Sequence, residues 1–127
     1  MRSLLSPRRF FRSLDHAWRG VRLTFRTEHS FRVDVAAALV VLGCGVVFPL
    51  ERWARALLVV VTMFVMVLEL VNSSVERLVD LLRPRLDETA RDVKDVMAAA
   101  VLIASVGAFL VGCWLIGPFF IERLGRL

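Results

Sequence analysis

The sequence predicts an all-α integral membrane protein of one domain, residues 1–127. It begins with an amphipathic surface helix over about 8–28, followed by membrane-crossing helices over 33–50, 53–71 and 96–121. Three observations carry this prediction. The chain is 57% hydrophobic with a mean hydropathy of +0.67, whereas soluble domains sit nearer half apolar. Its apolar residues gather into three runs, each long enough to cross a hydrocarbon core of about 30 Å. Its cationic residues lie mostly outside those runs, in two basic segments.

The first element is "RRFFRSLDHAWRGVRLTFR". Phe10, Phe11, Leu14, Ala17, Trp18, Val21 and Phe25 recur at three- and four-residue steps, with Arg8, Arg9, Arg12, Arg19, Arg22 and Arg26 between them. A helix with one apolar and one basic face lies in the membrane interface, and no soluble core is present for it to join. It does not read as a signal peptide, because charges continue to Arg32 and the cluster Ala36-Ala37-Ala38 precedes its apolar run. The first span, "VDVAAALVVLGCGVVFPL", runs to Leu50, and a tight connection through Glu51 and Arg52 follows Pro49. The second, "WARALLVVVTMFVMVLELV", is expected to continue as helix to about Arg83-Pro84. Residues 72–95 then form a helical extension and a loop. The third span carries no charge before Glu122, and its Ser105, Gly107 and Gly112 are small enough to admit a neighbouring helix closely. Cys44 and Cys113 fall inside apolar runs and read as small core residues, too few and too isolated for a metal site or a disulfide framework.

Thirteen of the seventeen Lys and Arg residues lie in the N-terminal segment or between Arg77 and Lys94. An odd number of spans puts both segments on one side, which the positive-inside rule makes cytoplasmic. The basic charge suits an anionic leaflet; nucleic acid is not an expected partner, because no basic stripe is interleaved with stacking aromatics. On this assignment Glu28, Glu69, Glu76, Asp80, Lys94 and Asp95 converge on the inner surface.

At ~100° per residue, Glu69, Ser73, Glu76 and Asp80 fall within about 60° on one face of the second span and its extension, with Asn72 at the edge. Glu69 is the sharpest member: flanked by Leu68, Leu70 and Val71, its short side chain has little reach to water, and an intramembrane carboxylate points to function. Lys94 is the one lysine among sixteen arginines, and lysine meets phosphate as a compact point charge where arginine binds as a fork. Carboxylates beside a lysine at a membrane surface suit Mg²⁺ and polyphosphate, since Mg²⁺ takes one or two carboxylates together with substrate phosphates. No Walker loop and no protein-kinase signature is present. The chemistry alone leaves open phosphoryl transfer to a membrane alcohol, a small cation- or proton-coupled transporter, and an assembly subunit without chemistry.

"ELVNSSVERLVD" followed by "VKDVMAAAVLIA", with "AWRGVR" and "TEHSFR" upstream, resembles the prokaryotic diacylglycerol kinases over Arg9 to Trp114. The resemblance implies an integral membrane lipid kinase, a homotrimeric bundle with composite sites between protomers, and a bacterial inner-membrane location with a cytoplasmic N-terminus. It implies ATP as co-substrate, Mg²⁺ as cofactor and diacylglycerol as lipid substrate. Glu69 matches the presumed general base, and Glu28 and Glu76 match the carboxylates that hold Mg²⁺. Arg9, His16, Glu28, Asn72, Glu76, Asp80, Lys94 and Asp95 match nucleotide-binding positions. Trp18, Arg22, Phe31, Arg32, Glu69 and Ala98 match positions beside the lipid. Thr27, Ser74, Met97 and His16 depart from the residues usual at their positions, and the loop "RPRLDE" lacks a usual tyrosine–histidine pair. Undecaprenol kinases belong to the same family; Asp34, where they often carry histidine, resembles the proteobacterial diacylglycerol kinases more closely.

Overall fold

The computed structural model describes residues 7–82 and 88–125, so expectations for the loop 83–87 lie outside the described residues. The chain forms four helices: α1 (Pro7–Thr27), α2 (His29–Val47), α3 (Arg52–Leu82) and α4 (Glu88–Leu124). The last three are long and apolar enough to cross a membrane.

The boundaries differ from the hydropathy reading wherever a polar stretch stays helical. α2 begins at His29, four residues before the first apolar residue of its run, because His29 to Arg32 continue the helix and bury Phe31 to 1% exposure. It stops at Val47, since Pro49 disfavours helical geometry in the residue before it. Phe48 is accordingly extended (φ −83°, ψ 146°), and its N–H still closes onto the Cys44 carbonyl. α4 starts at Glu88, so Lys94 and Asp95 sit on a helix two turns in rather than in a loop. α3 runs unbroken past Val71 to Leu82 and carries the whole carboxylate stripe on a single rod.

The helix α3 is central. α4 packs along it most extensively, α2 packs on its other flank, and α2 and α4 touch only slightly. The apolar core gathers at the end of the bundle near the α2–α3 turn, where Phe48, Leu50, Ala54, Leu58, Leu115 and Ile116 meet. Phe48 stacks on Phe119 at 5.7 Å and meets Phe120 edge-on at 5.1 Å. Such pairs add about 0.5–1.5 kcal/mol beyond their area. Of the two cysteines, Cys44 packs against this core while Cys113 is exposed on α4. Clustering the core at one end leaves polar packing to the other, where α1 turns into α2.

Candidate functional site

Glu28 forms the single-residue break between α1 and α2, in extended conformation (φ −103°, ψ 121°), with its N–H still bonded to the Thr24 carbonyl. The break brings α1 back against the polar end of α3. Thr24 is buried there at 5% exposure, its hydroxyl donating to the Gly20 carbonyl at 3.2 Å.

The stripe foreseen on α3 lies inside this corner and grades from buried to open. Glu69 is 4% exposed and Ser73 3%, Glu76 is half-buried, and Asp80 is exposed. Asp34 and Ser30 of α2 and Glu76 of α3 are the polar neighbours of the Glu69 carboxyl. Of these only the Ser30 hydroxyl can donate to an ionised Glu69; Asp34 and Glu76 are acids themselves and do not offset its charge, which is costly to keep from water. One turn from Glu69, Asn72 donates from Nδ2 to Glu76 Oε1 at 3.2 Å, which leaves its Oδ1 buried without a partner. The amide cannot turn over to satisfy that oxygen without setting it against the Glu76 carboxylate.

Two ion pairs close the site. Arg77 donates to Glu28 Oε1 at 3.3 Å and to the Thr27 hydroxyl at 2.5 Å, tying α3 to the α1–α2 break. Lys94 donates to Asp80 Oδ1 at 2.5 Å, tying α4 to α3. Both pairs are part-exposed, so each contributes only about 0.2–1 kcal/mol. Their importance is placement: a cation already rests on each of two carboxylates.

The structure thus brings Glu28, Glu69, Asn72, Glu76, Asp80 and Lys94 to one end of the bundle. Asp95 is exposed on α4 beside Lys94, Ala98 is exposed a turn further along, and Arg32 is exposed on α2. Arg9, His16, Trp18 and Arg22 project outward from α1, and among the described residues no side-chain bond ties them to the carboxylates. Phe31 is enclosed within the protomer at 1% exposure. Three contributors were missed by sequence reasoning. Asp34 was read only as a marker of subclass, although a carboxylate in an apolar run carries the same signal as Glu69. Thr27 was read only as a departure, and Arg77 was one arginine among many.

Among the described residues, no group of three or more His, Cys, Asp or Glu side chains is arranged to hold a metal by itself. The donors do fit a hard cation that arrives with oxygen ligands of its own: two carboxylates, Glu28 and Glu76, and the orphaned amide oxygen of Asn72. Asp80 and Lys94 stand one turn beyond.

These features define a small multi-pass membrane protein with an acidic site at one end of its helices. The chain matches the family described as Prokaryotic diacylglycerol kinase over residues 15–116. It is 37% identical over 108 residues to a diacylglycerol kinase of Synechocystis, covering 84% of this chain but only 62% of that longer relative. It is 38% identical to an undecaprenol kinase of Bacillus subtilis (87% of this chain, 89% of that one) and 30% identical to a diacylglycerol kinase of Escherichia coli (88% and 92%). The chain therefore belongs to the prokaryotic diacylglycerol kinase family.

Proposed function

We propose that this protein is an ATP- and Mg²⁺-dependent lipid kinase that converts diacylglycerol to phosphatidic acid at the inner face of a bacterial cytoplasmic membrane. The observation that carries this reading is the grading of one helix face: a buried carboxylate, Glu69, lies two turns from a half-buried carboxylate with an unsatisfied oxygen beside it. A lipid alcohol reaches the first from the apolar side, and a metal-bound polyphosphate reaches the second from the aqueous side. Family membership supports a lipid kinase.

In this mechanism Glu28 and Glu76, with Asn72 Oδ1, would hold the metal, which when bound would supply neutralisation of the polyphosphate charge. Lys94 leaves Asp80 to meet the phosphates, with Asp95 beside it. Glu69 takes the proton of the lipid hydroxyl as its oxygen bonds to the γ-phosphorus. The bond from that phosphorus to the β–γ bridging oxygen breaks, releasing ADP. Substituting Lys94→Arg is expected to reduce kcat several-fold even though charge is kept, because a planar fork cannot replace a point charge at the same distance from phosphate. Steady-state turnover with saturating Mg·ATP measures this, and an unimpaired variant would make the lone lysine a coincidence.

A homotrimer with sites shared between protomers fits two features of the single chain. Val67, Leu70, Val71, Val75 and Leu78, with Ser74 among them, form a mostly apolar strip along one flank of α3. Arg9 and His16, both assigned to the nucleotide, stand clear of the carboxylates of their own chain. The apolar and arginine-bearing faces of α1 suit a helix lying in the interface of an anionic inner leaflet, and this supports the reading of a cytoplasmic N-terminus.

The second reading is undecaprenol as the lipid, favoured by the 38% identity to the Bacillus subtilis enzyme. Asp34 favours diacylglycerol. A mixed-micelle assay offering both alcohols with γ-labelled ATP, the products separated by thin-layer chromatography, decides between them. The expected result is label chiefly in phosphatidic acid. Label in neither lipid, with ATP-independent flux of a cation in sealed vesicles, would replace the kinase by a transporter.

A further inference from the structure

The Arg77 guanidinium is the structural link between the α1–α2 break and α3, and it belongs to none of the groups assigned above. Its Nη2 reaches both the Thr27 hydroxyl and Glu28 Oε1. The Thr27 oxygen itself lies 3.0 Å from the Leu23 carbonyl and 3.2 Å from the same Glu28 oxygen. Glu28 is therefore held from two sides, and by a cation that cannot lose its proton. Among the described residues no such cation rests on Glu76, the residue before Arg77; it accepts from the neutral Asn72 amide.

We propose that Arg77 is a positioning residue that acts as the resident counter-ion of Glu28, keeping that carboxylate oriented until a metal bound to polyphosphate exchanges with it. The inference rests on the assignment of Glu28 as a metal ligand. A bare divalent cation must displace Arg77 and leave a half-buried guanidinium with only the neutral Thr27 hydroxyl as a partner, its charge uncompensated. A metal that arrives with phosphate brings the anion that Arg77 then faces, so displacement is compensated. The Lys94–Asp80 pair has the same form, a cation meant for phosphate waiting on a carboxylate. Two such exchanges make the site selective for the metal–nucleotide complex over either component alone, which protects a membrane enzyme from filling with free Mg²⁺.

The test uses the purified full-length protein in detergent with Mn²⁺ as the probe, free ion being counted by electron paramagnetic resonance, with and without a non-hydrolysable ATP analogue. The wild type is expected to bind Mn²⁺ weakly alone and much more tightly with the analogue. Arg77→Ala is expected to bind Mn²⁺ alone about two- to fivefold more tightly, the range expected for loss of a part-exposed ion pair. It should also lose part of the gain from the analogue. Arg77→Lys should stay close to wild type, and Thr27→Val, which leaves the ion pair, should track it. Arg77→Gln takes the place of Arg77→Ala if that variant does not fold.

Mn²⁺ binding by Arg77→Ala that equals or falls below wild type overturns the counter-ion role; a merely structural latch would lower thermal stability and give that result. Glu28→Gln separates this outcome from a failure of the site assignment. Unchanged Mn²⁺ uptake in Glu28→Gln removes Glu28 from the metal site and the inference with it. Glu28-dependent uptake that Arg77→Ala fails to strengthen removes the inference alone.

Discussion

Glu69→Gln is expected to abolish lipid phosphorylation while the protein stays folded in the membrane. The substitution keeps the shape of the side chain and its contacts with Asp34 and Ser30, but an amide cannot accept the proton of an alcohol. General base catalysis contributes typically 10²–10⁴-fold, so turnover should fall by at least about two orders of magnitude. Stability should not fall with it. Glu69 is 4% exposed, and a neutral group in a buried position escapes the cost of keeping a charge from water. Transfer of label from ATP into lipid, together with thermal unfolding in detergent, measures both halves. Turnover near wild type would remove Glu69 from the mechanism, and loss of folding would make it a structural carboxyl. Asp34→Asn is the informative companion: an effect much smaller than that of Glu69→Gln assigns the proton to Glu69 and leaves Asp34 to orient it.

The difference between these two carboxylates shows what was legible before the fold was known. Glu69, Ser73, Glu76 and Asp80 are on one helix, so periodicity alone lined them up, and their grading from buried to open follows from the helix leaving the packed region. Asp34, Thr27 and Arg77 act across helices, and no spacing in the chain announces that Arg77 meets a residue 49 positions earlier. The spans were legible because lipid demands uninterrupted apolar runs. Their ends were not, because polar helical turns such as His29–Arg32 and Glu88–Asp95 look like loops to a hydropathy window. The break at Glu28 carries neither glycine nor proline. It is set by α1 folding back against α3, which buries Thr24, and by Arg77 gripping the corner, both tertiary causes. The α2–α3 turn, by contrast, was marked plainly by Pro49.

The two proposed metal ligands should not be equivalent, and the ordering follows from their partners. Glu28 is pre-neutralised by Arg77, whereas among the described residues Glu76 accepts from a neutral amide whose other end, Asn72 Oδ1, is left unsatisfied beside it. Glu76→Gln removes the carboxylate nearest that orphaned oxygen and leaves the site two neutral amides side by side. Glu28→Gln removes one ligand but frees Arg77, whose charge can then meet the incoming phosphates. Both variants should weaken kcat/KM for Mg·ATP, with Glu76→Gln losing on the order of 10²–10³-fold, the scale of losing one preorganised electrostatic contact to a transferring group. Glu28→Gln should lose distinctly less. Chelating the divalent ion should silence the wild type altogether, because phosphates would then confront the carboxylates Glu28, Glu76 and Asp80 with no metal to offset the repulsion. Initial rates across a matrix of Mg²⁺ and ATP concentrations give the ordering. If Glu28→Gln proved the more damaging, the metal would sit at the α1–α2 break rather than beside Asn72, and Arg77 would be its competitor for the principal ligand.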